Sequence, residues 1–274
     1  MTRTREERED LMAEMAPMSQ FLVHKVVALP PIQIGGFALD LSITNSVLFM
    51  LIASAIITLF FLVSARGEVV PGRMQALAES LYDLIDKGMT GPMIGDRGRP
   101  FLPFIFTLFS MIAVMNIIGL FPLTFTVTSQ LAVTAILAVM TFTTVVIIGF
   151  LRNGLGFFKL FVPSGLHWSM ALFIAPIEFI SFMVRPLTLS MRLFGNMIGG
   201  HVVMYMFASF VVGLGLLGLH GGVASLGFVG SALSLFMVVC LMALEFIVAF
   251  LQAFVFAALA STYLSDVVNL DHGH

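Results

Sequence analysis

The sequence predicts an all-α, polytopic membrane protein, and three observations predict it. Apolar residues make up 59% of the 274 residues and charged residues 10%, against roughly 25% charged in a soluble domain. A soluble fold this size cannot cover its surface with 13 basic and 15 acidic side chains. The charges are also confined: ten fall within residues 1–40, ten within 66–99, and four between 160 and 265, namely Glu178, Arg185, Arg192 and Glu245. Uncharged runs long enough to span a bilayer fill most of the remainder. In hydrocarbon each backbone group must be satisfied within its own segment, which selects helices.

The segments follow in order. Residues 1–15 are polar and mixed in sign, with no apolar core and cleavage site behind them, so they do not read as a signal peptide. Residues 1–40 form a polar amino-terminal and membrane-surface segment. Its second half alternates apolar stretches with Pro30, Pro31, Gly35 and Gly36, which fits the membrane surface or a short structured lead-in. The single membrane domain, 41–274, starts with 25 uncharged residues, Leu41 to Ala65, as the first helix. Between Gln75 and Met89, Leu77, Leu81, Leu84 and Ile85 recur at helical spacing with Glu79, Asp83, Asp86 and Lys87 on other faces. That is an amphipathic interfacial helix over 75–89; a soluble insertion is the alternative. The 52 uncharged residues from Pro100 to Leu151 make two spans, 101–121 and 131–151, broken by Pro122 and the polar run 124–130. A glycine-rich turn, Gly213–Gly230, divides the rest into two long segments, 168–217 and 230–265. Each is far longer than the ~30 Å hydrocarbon layer needs, so each is either broken or steeply tilted. Pro176 and Pro186 permit bends in the first.

Basic residues collect on the cytoplasmic side of a membrane. Loop 66–99 carries five, loop 152–159 two, and the turns near 122–130 and 213–230 none. Five spans then leave the amino terminus outside and the carboxyl terminus inside; Arg3, Arg5 and Arg8 count against this. A net charge of −2 offers no basic field for a nucleic acid. One cysteine, Cys240, excludes a disulfide framework and a cysteine metal cluster. His24, His167, His272 and His274 are too scattered for a metal site. No GxxxxGK[ST] phosphate loop is present, and no cofactor is expected.

A charge at the bilayer centre costs roughly 2.5–3.5 kcal/mol on insertion scales, so an intramembrane charge is a functional hypothesis with a partner to name. Glu178, Arg185 and Arg192 are seven apart, along one stripe of the first long helix, and Asn196 stays near it. His201 is half a turn around and about 13 Å further on. On the last helix Glu245, Gln252 and Tyr263 share a face. Glu and His exchange protons, and Gln, Asn and Tyr hold water chains between them, so the constellation suggests a proton relay. Arginine keeps its proton and acts as a fixed charge and barrier. Arg185 and Glu178 also fit a structural ion pair or snorkelling towards an interface; His201 alone would read as a packing residue, but with Glu245 on the neighbouring helix it reads as a relay or pairing group. The Gly195, Gly199 and Gly200 cluster fits both helix packing and close approach of a partner. Asn116 reads as a helix–helix hydrogen bond.

The run Pro186-Leu-Thr-Leu-Ser-Met-Arg-Leu-Phe-Gly-Asn196 resembles subunit a of the F-type ATP synthase, whose signature is an arginine followed by Leu-Phe-Gly-Asn. Leu251-Gln-Ala-Phe-Val-Phe256 and Tyr263-Leu264 resemble the family's last helix. The likeness covers roughly residues 35–268 and is strongest over 176–205 and 243–264. It implies a non-catalytic stator subunit of the membrane (F0) sector in a bacterial inner membrane, serving ATP synthesis. Arg192 would face the carboxylate of the rotating c-ring. Asn196, His201, Glu245 and Gln252 would line the access half-channel, and Glu178, Arg185 and Tyr263 the exit side. Implied partners are the c-ring, the peripheral-stalk b subunits, indirectly the F1 sector, and the lipid bilayer. Enteric members carry Glu at the place of His201 and His at that of Glu245; the exchange here resembles alphaproteobacterial and mitochondrial members. The family's last two helices are steeply tilted. A self-contained proton or ion transporter is the competing class, and such folds show internal repeats; none is found in this sequence. A purely structural membrane subunit is a third, against which the buried charges argue.

Overall fold

The computed structural model describes residues 21–27, 32–34, 37–39, 42–65, 72–121, 124–162, 168–219 and 225–270. The calls on residues 1–20, on Pro30, Pro31, Gly35 and Gly36, and on Pro122 lie outside them. Among the described residues five helices are long and apolar enough to cross a membrane, and the protein is an all-α polytopic membrane protein.

Ahead of the first helix, strands β1 (Lys25–Val27), β2 (Ile32–Ile34), β3 (Phe37–Leu39) and β4 (Ile43–Thr44) form two nested antiparallel ladders, β1 with β4 and β2 with β3. The lead-in is therefore structured, and it takes residues 43–44 from the expected first helix. Helix α1 is Asn45–Ser64, and the Thr44 hydroxyl accepts from the Val47 N–H at its start, where the first N–H groups lack intrahelical partners. The amphipathic helix α2, Arg73–Ile85, runs into one π-helical turn, Asp86–Thr90, and the short α3, Gly91–Ile94. On its exposed face the Lys87 ammonium donates to Asp83 at 2.6 Å, and that carboxylate holds the Lys87 pKa above its ordinary value. The membrane hairpin follows as α4, Leu102–Gly119, and α5, Leu131–Asn153.

The last two helices are α6, Trp168–Gly218, of 51 residues, and α7, Leu226–Val268, of 43. Both are continuous. Pro176 and Pro186 lie inside α6, so the alternative of broken segments falls away. A membrane helix accepts proline because neighbouring groups re-satisfy the freed carbonyl. At 1.5 Å per residue, α6 is about 76 Å long, more than twice the ~30 Å layer.

Helix α4 is central: half of its most apolar window is buried, against 6% for that of α6. Helix α7 packs between α6 and α4, α5 leans on α6 and α7, and α1 lies outside against α4. The α7 face towards the core is small and periodic. Ala249, Ala253, Ala257 and Ala260 are fully buried, a spacing that lets helix backbones approach closely. There the Asn116 amide donates to the Ala249 carbonyl at 3.0 Å, tying α4 to α7. At the other end of α7, Asn153 donates to the Val267 carbonyl at 2.8 Å, and Ser265 donates to the Met93 carbonyl. Those bonds fasten the end of α7 to α5 and to α3. The result is a supported α7 and an α6 with one face left open.

Candidate functional site

Helices α6 and α7 run antiparallel, so ascending positions on one meet descending positions on the other. Three polar links obey that register. Arg185 Nη1 lies 2.7 Å from Asp266 Oδ2, Asn196 Nδ2 donates to Gln252 Oε1 at 2.8 Å, and His201 Nε2 lies 3.6 Å from Glu245 Oε1.

The inner pair is deeply buried: His201 is 4% exposed, Glu245 6% and Gln252 4%. Neither Glu245 oxygen has a hydrogen-bond partner among the described protein atoms, so the imidazole 3.6 Å away is its one ion-pair partner there. A buried carboxylate held so loosely is costly as a structural element and well suited to gaining and losing a proton. The space for it comes from Gly200. A Cβ added there would sit 2.6 Å from Glu245 Oε1 and 3.0 Å from Cδ. Gly195 and Gly199 differ, because a Cβ at either meets nothing within 4 Å. The glycine cluster thus does two things: Gly200 admits the carboxylate, while Gly195 and Gly199 leave the outer face of α6 flat. Gly200→Ala is expected to push the Glu245 carboxylate off His201, lowering proton flux through the assembled protein at unchanged membrane content. The displacement itself costs little, because the atoms that must move are the far end of a flexible side chain; wild-type flux in vesicles would contradict the expected effect.

A small cavity of about 170 Å³ opens beside the pair, lined by Thr124, Thr126, His201 and Tyr205 among apolar neighbours. It reaches His201 from the α4–α5 turn.

Arg192 stands on the other side of α6, exposed beside Met191, Gly195 and Asn196. No carboxylate pairs with it among the described residues. It lies nine residues before His201 and seven after Arg185, about 13 and 10 Å along the axis.

Beyond it is a second cluster. The Arg185 guanidinium is held by Asp266, lies over the Tyr263 ring at 4.7 Å, and lies over Phe182 at 5.3 Å. The ion-pair reading of Arg185 with Glu178 is therefore corrected: the partner is Asp266, on the neighbouring helix. Glu178 is half-buried two turns away, and no ion pair reaches it among the described residues. From the sequence, Asp266 falls near the end of the polar line on the last helix, three residues after Tyr263, with no role attached to it. Thr126 is absent from the sequence-derived set, and nothing in its turn-like surroundings signals it.

Continuous helices of this length, with ionisable side chains gathered on the facing surfaces of the last two, define a polytopic membrane subunit with a buried polar site, a feature that a plain membrane anchor does not need. The family model for the ATP synthase A chain matches residues 47–265, and the chain belongs to that family. It is 45% identical over 257 residues to a protein named ATP synthase subunit a from Mesorhizobium japonicum, covering 93% of this chain and 97% of the relative. It is 46% identical over 255 residues to the proteins of that name from Allorhizobium ampelinum and Rhizobium johnstonii, covering 92% and 97% in each case.

Proposed function

We propose that this chain is the proton-conducting stator subunit of an F-type ATP synthase membrane sector, itself without catalytic chemistry on ATP. The observation that carries the reading is the exposed Arg192 between two polar clusters, with no carboxylate paired to it among the described residues. A guanidinium keeps its charge, and holding one on an apolar helix face is costly without a counter-charge. The partner is a carboxylate on another chain, the rotating c-ring, seated on the flat face at Gly195 and Gly199.

A proton enters the cavity beside Thr124 and Tyr205, reaches His201 and Glu245, and passes by Asn196 and Gln252 to the ring carboxylate. The neutralised site turns away into lipid. After almost a full rotation it meets the exit side, where Glu178, Tyr263 and Arg185 guide release. Arg192 separates the two half-paths, because its fixed positive charge holds the ring carboxylate ionised and repels a proton passing directly. Each proton contributes about 2.3 kcal/mol per 100 mV. Orientation follows the basic loops: amino terminus periplasmic, carboxyl terminus cytoplasmic, in a bacterial inner membrane.

Purification from native membranes tests this. The chain is expected to copurify with an oligomeric ring of small hairpin subunits, b-type stalk subunits and the F1 sector. A chain that purifies alone and conducts protons in vesicles would instead be a self-contained transporter.

A further inference from the structure

We propose that Thr126 is a positioning residue that fixes the proton of the neutral His201 ring on Nε2, the nitrogen that faces Glu245. Its consequence for proton flux rests on the function proposed above; the tautomer itself does not.

The argument counts hydrogens. Thr126 Oγ1 contacts two groups in the buried turn between α4 and α5. It is 3.1 Å from the Gly119 carbonyl and 3.1 Å from His201 Nε2. A hydroxyl has one proton to donate. The Gly119 carbonyl can only accept, and it belongs to the last turn of α4, whose carbonyls lack intrahelical donors. The hydroxyl proton therefore goes to Gly119. The remaining contact is satisfied when His201 Nε2 carries the hydrogen and Thr126 accepts it.

Electrostatics points the same way. Nε2 is 3.6 Å from Glu245 Oε1. No hydrogen bond forms at that separation, but a bare Nε2 would still set its lone pair towards a carboxylate, which an Nε2–H held by Thr126 avoids. With the proton on Nε2, the Nδ1 lone pair is free to receive the next proton. In the transfer Nδ1 gains a proton and the imidazolium gives its Nε2 proton to Glu245, which leaves the ring as the Nδ1–H tautomer; Thr126 then favours return of the ring to the Nε2–H form before the next proton arrives.

Thr126 is built to hold this place. Its carbonyl accepts from the Ser129 hydroxyl at 2.6 Å. Its methyl occupies the space where a Cβ on Gly119 would fall, 2.7 Å from Cγ2. The groups facing His201 are Thr126 from the turn, Glu245 from α7, and the Phe21 ring edge-on at 6.1 Å.

Solid-state ¹⁵N spectra of histidine-labelled assembled protein test it, with the His201 signals assigned by their loss in His201→Ala. Wild type and Thr126→Ser are expected to show the neutral ring protonated at Nε2. Thr126→Val, which keeps the shape and removes the acceptor, is expected to populate the Nδ1–H form. ATP-driven proton pumping should fall about tenfold in Thr126→Val, the scale of one lost hydrogen bond, and stay near wild type in Thr126→Ser. Thr126→Ala gives the same readout if the valine variant does not assemble. An unchanged tautomer in the variant overturns the proposal. A changed tautomer with undiminished pumping upholds the positioning role and removes His201 from the proton path.

Discussion

Replacing Arg192 with alanine should abolish ATP-driven proton pumping while the protein still inserts and assembles. The side chain is exposed on α6 and pairs with no carboxylate among the described residues, so its removal leaves no buried counter-charge behind and no hole in the core. The expected loss is functional rather than structural. Without the fixed charge, the ring carboxylate no longer meets a barrier between the two half-paths. Passive proton leak should therefore rise, or remain, as coupled pumping disappears. Lysine should restore part of the function at most, since its ammonium can lose its proton in a desolvated site and lacks the planar fork. Quenching of a pH-sensitive dye in inverted vesicles reads both quantities. Normal coupled pumping by Arg192→Ala would sink the mechanism.

The second large effect is at the inner pair. Glu245→Gln should slow proton uptake by at least about tenfold, because the amide cannot carry the transferred proton; a general acid–base group typically contributes 10²–10⁴-fold. The stronger test is the cycle with His201→Ala. Two groups 3.6 Å apart, both buried, act as one unit, so the double variant should be little worse than the more impaired single one. Additive losses, measured as the logarithm of the pumping rate, would separate the two residues and leave Glu245 acting alone.

Much of the fold is legible in the sequence because a membrane simplifies the problem. Uncharged runs mark the long helices, and the breaks near 122–130 and 152–159 mark turns between them; the glycine-rich stretch 213–230 is mostly helical, since α6 continues to Gly218 and α7 begins at Leu226. What the length of α6 left open, broken or tilted, depended on whether Pro176 and Pro186 end a helix. They do not, since the surrounding chain absorbs the missing bond. The nested ladders before α1 were not legible as strands: each has two or three residues, too short for alternation to show.

In the candidate site, the pairing of His201 with Glu245 was legible from residue chemistry, and the other partnerships were not. Heptad spacing placed Arg185 and Arg192 on one stripe, yet the structure gives Arg185 an aspartate on α7 and Arg192 an open face. Three nearby glycines look alike in sequence, and only Gly200 faces a carboxylate. Thr126 sits 75 residues from His201, so no local pattern connects them.

The unbroken course of α6 has a last consequence. Arg192 must look outward and His201 inward, and nine residues of helix, two and a half turns, set that opposition. No hinge or loop lies between them to absorb a change in chain length. One residue inserted between Leu193 and Gly200 would swing Arg192 by about 100° relative to His201. Under the proposed mechanism the two roles are geared to each other by residue count, and insertions and deletions in that stretch are expected to act on mechanism before they act on stability.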